Sequence, residues 1–216
     1  LTLMYRKPAT TFNQKAEALY QQNVLSVMEE VWHKEGERID LVIFLNGIAI
    51  FTFELKCNTS GQNYEDAIRQ YKFERDYKTR LLKFKAGCLA HFAMDLNEVY
   101  MCTNLKGKSS FFLPFNKGCG IGVHSGKGNP HNENGINVSY MWEDILKKDT
   151  VLYLIDKIIF LQKETKKDPD TGKRVTKETL IFPRYHQFNA VRKLVADVRQ
   201  KGAGQHYLIQ HSAGSG

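Results

Sequence analysis

The stretch 38–56 constrains this chain more than any other. It reads Arg38-Ile39-Asp40-Leu41-Val42-Ile43-Phe44-Leu45, then Asn46-Gly47, then Ile48-Ala49-Ile50-Phe51-Thr52-Phe53-Glu54-Leu55-Lys56. Two β-rich runs around Asn-Gly are the strongest short-range hairpin signal, because those two residues tolerate the positive φ of a tight turn. Apolar residues occupy odd and even positions alike, so both faces are covered and the hairpin belongs inside a sheet with other elements packed on it. The expected class is α/β.

Three charged residues flank this apolar background: Asp40 near the start, and Glu54 and Lys56 at the end. Charged side chains are rarely buried unless paired or metal-bound. Two carboxylates brought together by a hairpin can hold a divalent cation such as Mg²⁺ through hard oxygen ligands. Such a cation polarises a phosphodiester and lowers the pKa of bound water. Lys56, one pleat from Glu54, shares its face and can stabilise charge developing on the phosphate or orient the attacking water. Taken alone, so short a pattern is more often a set of solvated strand-end residues. Facing supplies a check. A strict two-residue turn pairs Leu45 with Ile48 and therefore Asp40 with Phe53, which puts Asp40 on the face opposite Glu54 and Lys56. A three-residue turn pairs Phe44 with Ile48 and Asp40 with Thr52, and all three then share a face. The chemistry requires an odd-length turn or a bulge.

Elsewhere, residues 11–22 read as a short helix capped by Thr11, with Ala16, Leu19 and Tyr20 at helical spacing. Residues 24–33 lean towards a strand, with Leu25, Val27 and Val31 at even spacing. The spacing predicts a helix over 63–84, with Ala67, Ile68, Tyr71, Tyr77 and Leu81 as its apolar stripe and Arg69, Lys72, Arg75, Lys78 and Arg80 as a basic one. Strands are expected near 88–93 and 98–103, a glycine-rich loop over 104–139, and a helix near 150–162. Asp168-Pro169-Asp170-Thr171-Gly172 is a turn signal inside a polar, hairpin-like linker at 163–183. An amphipathic helix over 185–201 and a short strand at 206–210 complete the reading. No apolar run approaches the roughly 20 residues of a membrane helix. The four cysteines, Cys57, Cys88, Cys102 and Cys119, form no C-x-x-C pair. They fit neither a disulfide framework nor a zinc knuckle, and point to a reducing, cytoplasmic setting. Lys and Arg number 31 against 23 Asp and Glu, a net charge of +8 that allows a polyanionic partner without requiring one.

Arg38 through Asn46-Gly47 to Phe53-Glu54-Leu55-Lys56 resembles the PD-(D/E)xK nuclease core, and more narrowly the N-terminal nuclease domain of the restriction (R) subunit of type I restriction enzymes. Further segments extend the resemblance in order: Thr59-Ser60-Gly61-Gln62, Glu65 to Tyr71, His91 to Asp95, Phe112 to Asn116, Gly128-Asn129-Pro130, and Phe182 to Gln187. The resemblance implies a mixed sheet flanked by helices, with Asp40 and Glu54 binding Mg²⁺ and Lys56 completing the catalytic set. The family often adds a Gln and a Tyr four apart on the next helix. Tyr71 fills the Tyr place, but Ala67 stands where the Gln belongs and Gln70 is out of register. An ordinary amphipathic helix explains both residues as well.

The C-terminal Gln205 to Gly216 reads as a strand followed by a phosphate loop. Ala213-Gly214-Ser215-Gly216 resembles the entry to a Walker A motif of a superfamily 2, RecA-like motor, with Gln187 as the adenine reader. His211 stands where the strict consensus has its first Gly, and the motif's Lys and Ser/Thr are absent. The expected division is a nuclease domain over 1–162, a polar linker over 163–183 and the start of an ATP-dependent translocase over 184–216. With Leu1 at one end and an interrupted motif at the other, the chain reads as a piece of a larger protein. The resemblance implies an Mg²⁺-dependent endonuclease that cleaves double-stranded DNA after translocation driven by ATP/Mg²⁺ in the full-length motor. Its partners would be modification (methyltransferase) and specificity subunits, with no membrane. Two other readings stand beside it: a nuclease module of another helicase-linked DNA-repair enzyme, and a non-catalytic DNA-binding or assembly domain.

Other features carry less. Cys119, His124 and His131 match no tetrahedral metal spacing. Gly118-x-Gly120-x-Gly122 lacks the strand–helix context of a dinucleotide fingerprint. His91 reads as part of a strand core. The basic helix face either tracks phosphates or is a solvated or docking surface.

Overall fold

The computed structural model describes residues 2–10, 12–119, 127–167 and 172–210. A six-stranded sheet is its centre, in the order β1-β2-β3-β4-β5-β6. The strands are β1 (Leu25–Lys34), β2 (Glu37–Leu45), β3 (Ile48–Leu55), β4 (Ala90–Met94), β5 (Val99–Cys102) and the short β6 (Leu113–Pro114). Only β3 and β4 run parallel; every other neighbouring pair is antiparallel. A parallel pair needs a crossover, and α2 (Tyr64–Phe73) lies within it.

The expected hairpin is β2–β3, and its register decides what the site can be. The strands join through a two-residue turn in which Asn46 has φ +50° and Gly47 φ +81°. Leu45 pairs with Ile48 and Phe44 with Ala49, and then the register slips, so that Ile43 meets Phe51 and Leu41 meets Phe53. Ile50 is the extra residue, a β-bulge. The slip moves Val42, Thr52 and Glu54 to one face and leaves Ile43, Phe51 and Phe53 on the other. Two cores follow. On one side Val42, Ala93 and Cys102 pack with Ala67 and Tyr71 of α2. On the other, Phe51, Phe53 and Phe92 pack with Tyr20, Tyr140, Met141, Leu152, Phe182 and Phe188. Phe92 is the hub of that second core: it stacks on Phe53 at 4.8 Å and meets Phe51, Phe115 and Phe182 edge-on.

Several expectations need correction. The first helix, α1 (Gln14–Gln21), is capped by Asn13, whose side chain accepts the Ala16 N–H; Thr11 lies outside the described residues. The helix predicted over 63–84 stops at Phe73. Beyond it the chain runs as turns, because side chains of β1 and β2 compete for it: Glu37 accepts the Asp76 N–H, Lys34 pairs with Asp76, and His33 meets Thr79. Tyr77 and Leu81 still pack on the α2 side, from turns rather than from a helix. The helix expected near 150–162 is displaced: helical turns span Met141–Ile145, α3 (Lys148–Tyr153) and Leu154–Ile158, and residue 160 already starts a strand. The polar stretch forms a two-stranded hairpin, β7 (Phe160–Lys167) with β8 (Arg174–Ile181); Asp168 to Thr171 lie outside the described residues. The helix α4 spans Tyr185–Lys201. Residues 206–210 form no strand: no described strand lies in register with them, and Leu208 is exposed. Among the described residues no helix is long and apolar enough to cross a membrane.

Candidate functional site

The bulge brings Asp40 and Glu54 together. One step past the last ladder pair, Leu41↔Phe53, the register sets Asp40 opposite Glu54. Asp40 Oδ2 accepts the Leu55 N–H at 2.7 Å, which ties its carboxylate to the end of β3. Glu54 is fully buried beside Ala93, its partner on β4. A buried carboxylate needs compensation, and Arg75 supplies it. Arg75 Nε donates to Glu54 Oε1 at 2.6 Å and Nη2 to Oε2 at 3.3 Å, a two-pronged pair with only 10% of the arginine side chain exposed. Arg75 was expected on the basic helix face. The end of α2 at Phe73 instead lets it turn inward, while Arg69, Lys78 and Arg80 remain exposed.

Burial pushes the Glu54 carboxyl up to about 8; the facing Asp40 adds to the push and Arg75 opposes it. Two carboxylates thus share a single guanidinium. The set is one positive charge short of two ionised carboxylates. It therefore fits a divalent cation: the donors are hard oxygens, and Mg²⁺ is typically bound by one or two carboxylates plus waters and phosphate rather than by a protein cage. Among the described residues no group of three or more His, Cys, Asp or Glu forms such a cage.

Lys56 continues the strand alternation onto the Glu54 face, with its N–H bonded to Met94 O at 2.9 Å. Its side chain is half-buried and makes no ion pair among the described residues. The loop after it is pinned by Asp95, which sequence reasoning did not single out. The Asp95 carboxylate accepts from Asn58 Nδ2 and from the backbone N–H groups of Tyr64, Asn97 and Glu98. It thereby fixes the turn after Lys56 and the start of α2 together.

Tyr71 lies behind the carboxylates rather than among them. It is fully buried, and its hydroxyl meets Thr52 Oγ1 at 2.8 Å; Thr52 Oγ1 in turn meets His91 Nδ1 at 2.8 Å. This column sits one pleat below Glu54. Gln70 is half-buried, and its Oε1 has no partner among the described residues. Gln187 Oε1 accepts the Arg184 N–H at the start of α4. Ala213, Gly214, Ser215 and Gly216 lie outside the described residues, as does His124.

His91 yields a test of this buried column. Burial pulls its imidazole down to about 3 from an ordinary 6.5. Between those values the unfolded chain binds a proton that the folded one does not, so stability falls as pH drops below about 6.5. The slope is up to about 1.4 kcal/mol per pH unit. Denaturant melts of wild type and His91→Gln over that range should diverge at low pH, with the variant losing the slope.

Residues 11–110 match the family of the type I restriction enzyme R protein N terminus. That segment holds Asp40, Glu54, Lys56, Gln70 and Tyr71, so the resemblance read from the sequence is found again over the site itself. The chain is also 26% identical to a protein of Methanocaldococcus jannaschii named as a type I restriction enzyme MjaVIIIP endonuclease subunit, over 91% of this chain and 17% of that protein. The chain thus spans less than a fifth of the length of this curated relative. No solved structure matches it.

Proposed function

We propose that this chain, through the R-protein N-terminal region it carries, is the Mg²⁺-dependent DNA endonuclease module of a type I restriction enzyme. What supports the reading is the meeting of Asp40 and Glu54 across a bulged hairpin, with Lys56 next on the same face, inside the segment that matches the family. Asp40 and Glu54 would hold the cation, which when bound supplies Lewis acidity at a scissile phosphate. Lys56 neutralises charge developing on the phosphate and orients the attacking water. Asp95 holds the loop that carries Lys56, and the Tyr71–Thr52–His91 column stiffens β3 beneath Glu54. In the same reading the parent protein translocates double-stranded DNA with ATP. Gln187 and Ala213 to Gly216 belong to its motor, modification and specificity subunits choose the site, and the enzyme works in the cytoplasm.

Metal removal is the direct test. With the parent R subunit assembled on DNA, cleavage should stop in EDTA and return with Mg²⁺ or Mn²⁺, while DNA binding persists. Cleavage that continues in EDTA overturns the reading. The two-pronged hold of Arg75 on Glu54 favours one competing reading, a non-catalytic DNA-binding module. DNA binding without cleavage at any Mg²⁺ or Mn²⁺ concentration would establish that reading instead.

A further inference from the structure

Arg75 uses both oxygens of Glu54, the positions through which a cation would be held. Asp40 Oδ2 is engaged by the Leu55 N–H. A guanidinium forked across both oxygens of a buried carboxylate covers the edge through which a cation would bind, and the two positive charges would repel at close range there. Arg75 is also placed to leave. It stands just beyond the end of α2, in a run of turns and not in a helix or strand. The next residue, Asp76, is fixed independently by Glu37 and Lys34, so the arginine side chain can swing while its backbone anchor stays.

We propose that Arg75 and the divalent cation are alternative occupants of the Asp40–Glu54 pair. Arg75 is a positioning residue that keeps the carboxylates assembled while no cation is bound, and the cation must displace it to enter. The proposal rests on the reading of Asp40 and Glu54 as cation ligands. It adds that the wild-type chain binds metal more weakly than its carboxylates alone would, because only the fraction with Arg75 swung out is competent.

The test is calorimetric titration of Mn²⁺ into the 216-residue chain, without DNA, in wild type, Arg75→Gln and each of these combined with Asp40→Asn. Melting is followed in parallel with and without Mn²⁺. Arg75→Gln should bind Mn²⁺ at least about 10-fold more tightly than wild type, as expected if Arg75 occupies the pair nine-tenths of the time or more. It should melt lower than wild type without the cation and regain most of that loss with it. Asp40→Asn should remove binding in both backgrounds. Arg75→Lys keeps the charge without the fork and should fall between the two; it carries the comparison if Arg75→Gln does not fold. Binding that depends on Asp40 but is no tighter after either change at Arg75 overturns the proposal and leaves the cation reading standing. Absence of Mn²⁺ binding in every variant overturns both.

Discussion

Lys56→Ala should lower DNA cleavage by roughly 10²–10³-fold, the usual loss on removing one group that stabilises transition-state charge. Stability should change by no more than about 0.5 kcal/mol, as for a surface change away from caps and networks. The two halves of this expectation come from separate observations. Lys56 follows Glu54 by one pleat on the face of the carboxylate pair, yet it makes no ion pair among the described residues, so its truncation leaves no buried partner behind. Asp40→Asn is the companion change. The amide oxygen can still accept the Leu55 N–H that Asp40 now accepts, while the charge that faces Glu54 is gone. Glu54 then loses one of the causes that push it up, and on the proposed reading the pair loses a cation ligand. Cleavage should fall at least as far as in Lys56→Ala. Single-turnover cleavage, DNA binding and a thermal melt, measured on the same preparations, check both variants. Cleavage unchanged in either one, with DNA translocation intact, would sink the assignment of these residues.

The requirement for an odd-length turn or a bulge was legible in the sequence, because side chains alternate with period two and Asp40 and Glu54 lie at positions that a simple Asn-Gly turn sends to opposite faces; the structure keeps the two-residue turn and uses the bulge. The position of the bulge was not legible. Ile50 is as apolar as its neighbours, and nothing in its side chain marks it as the unpaired residue. The sheet, the hairpin and α4 followed from periodicity, which long amphipathic segments state clearly. The true end of α2 did not. Tyr77 and Leu81 extend the helical spacing past Phe73, and the contacts that stop the helix come from Glu37, Lys34 and His33, some 40 residues away in sequence. Arg75 was missed for the same reason. Counted as one more cation on a helical face, it is in fact the residue that meets the buried Glu54. One signal could have found it: a glutamate inside an apolar strand calls for a basic residue, and the segment after the strand is where to look. Asp95 carried a comparable signal, an acid at the end of an apolar strand followed by Asn97, where a carboxylate can satisfy the exposed N–H groups of a turn.

Glu54→Ala should cost about 3–5 kcal/mol of stability, the typical loss when one partner of a buried pair is removed and the other is left without compensation. Arg75 has a 10% exposed side chain and would keep Asp40 and Glu74 as nearby acids but no acid bonded to its fork. Glu54→Gln should cost clearly less. Burial pushes the Glu54 carboxyl up towards about 8, which makes replacement by a neutral group of the same shape less costly than its removal. A neutral glutamine of the same shape still offers Oε1 to the Arg75 Nε–H. Cleavage should be lost in both variants, because neither leaves a second carboxylate for the cation. The double change Glu54→Ala with Arg75→Met should recover much of the stability, since an apolar side chain of similar length removes the orphaned charge without leaving a large void. Urea melts of the four proteins at neutral pH measure this ordering. If the alanine and glutamine variants were equally stable, a neutral side chain of the same shape would give Arg75 no compensation, and the contact would act through the charge of Glu54 alone. If the double change were no better than Glu54→Ala alone, Arg75 would not be the group left uncompensated. The ordering also separates two ways of losing cleavage. Glu54→Ala can fail by unfolding, whereas a folded Glu54→Gln that cannot cut assigns the loss to the missing ligand.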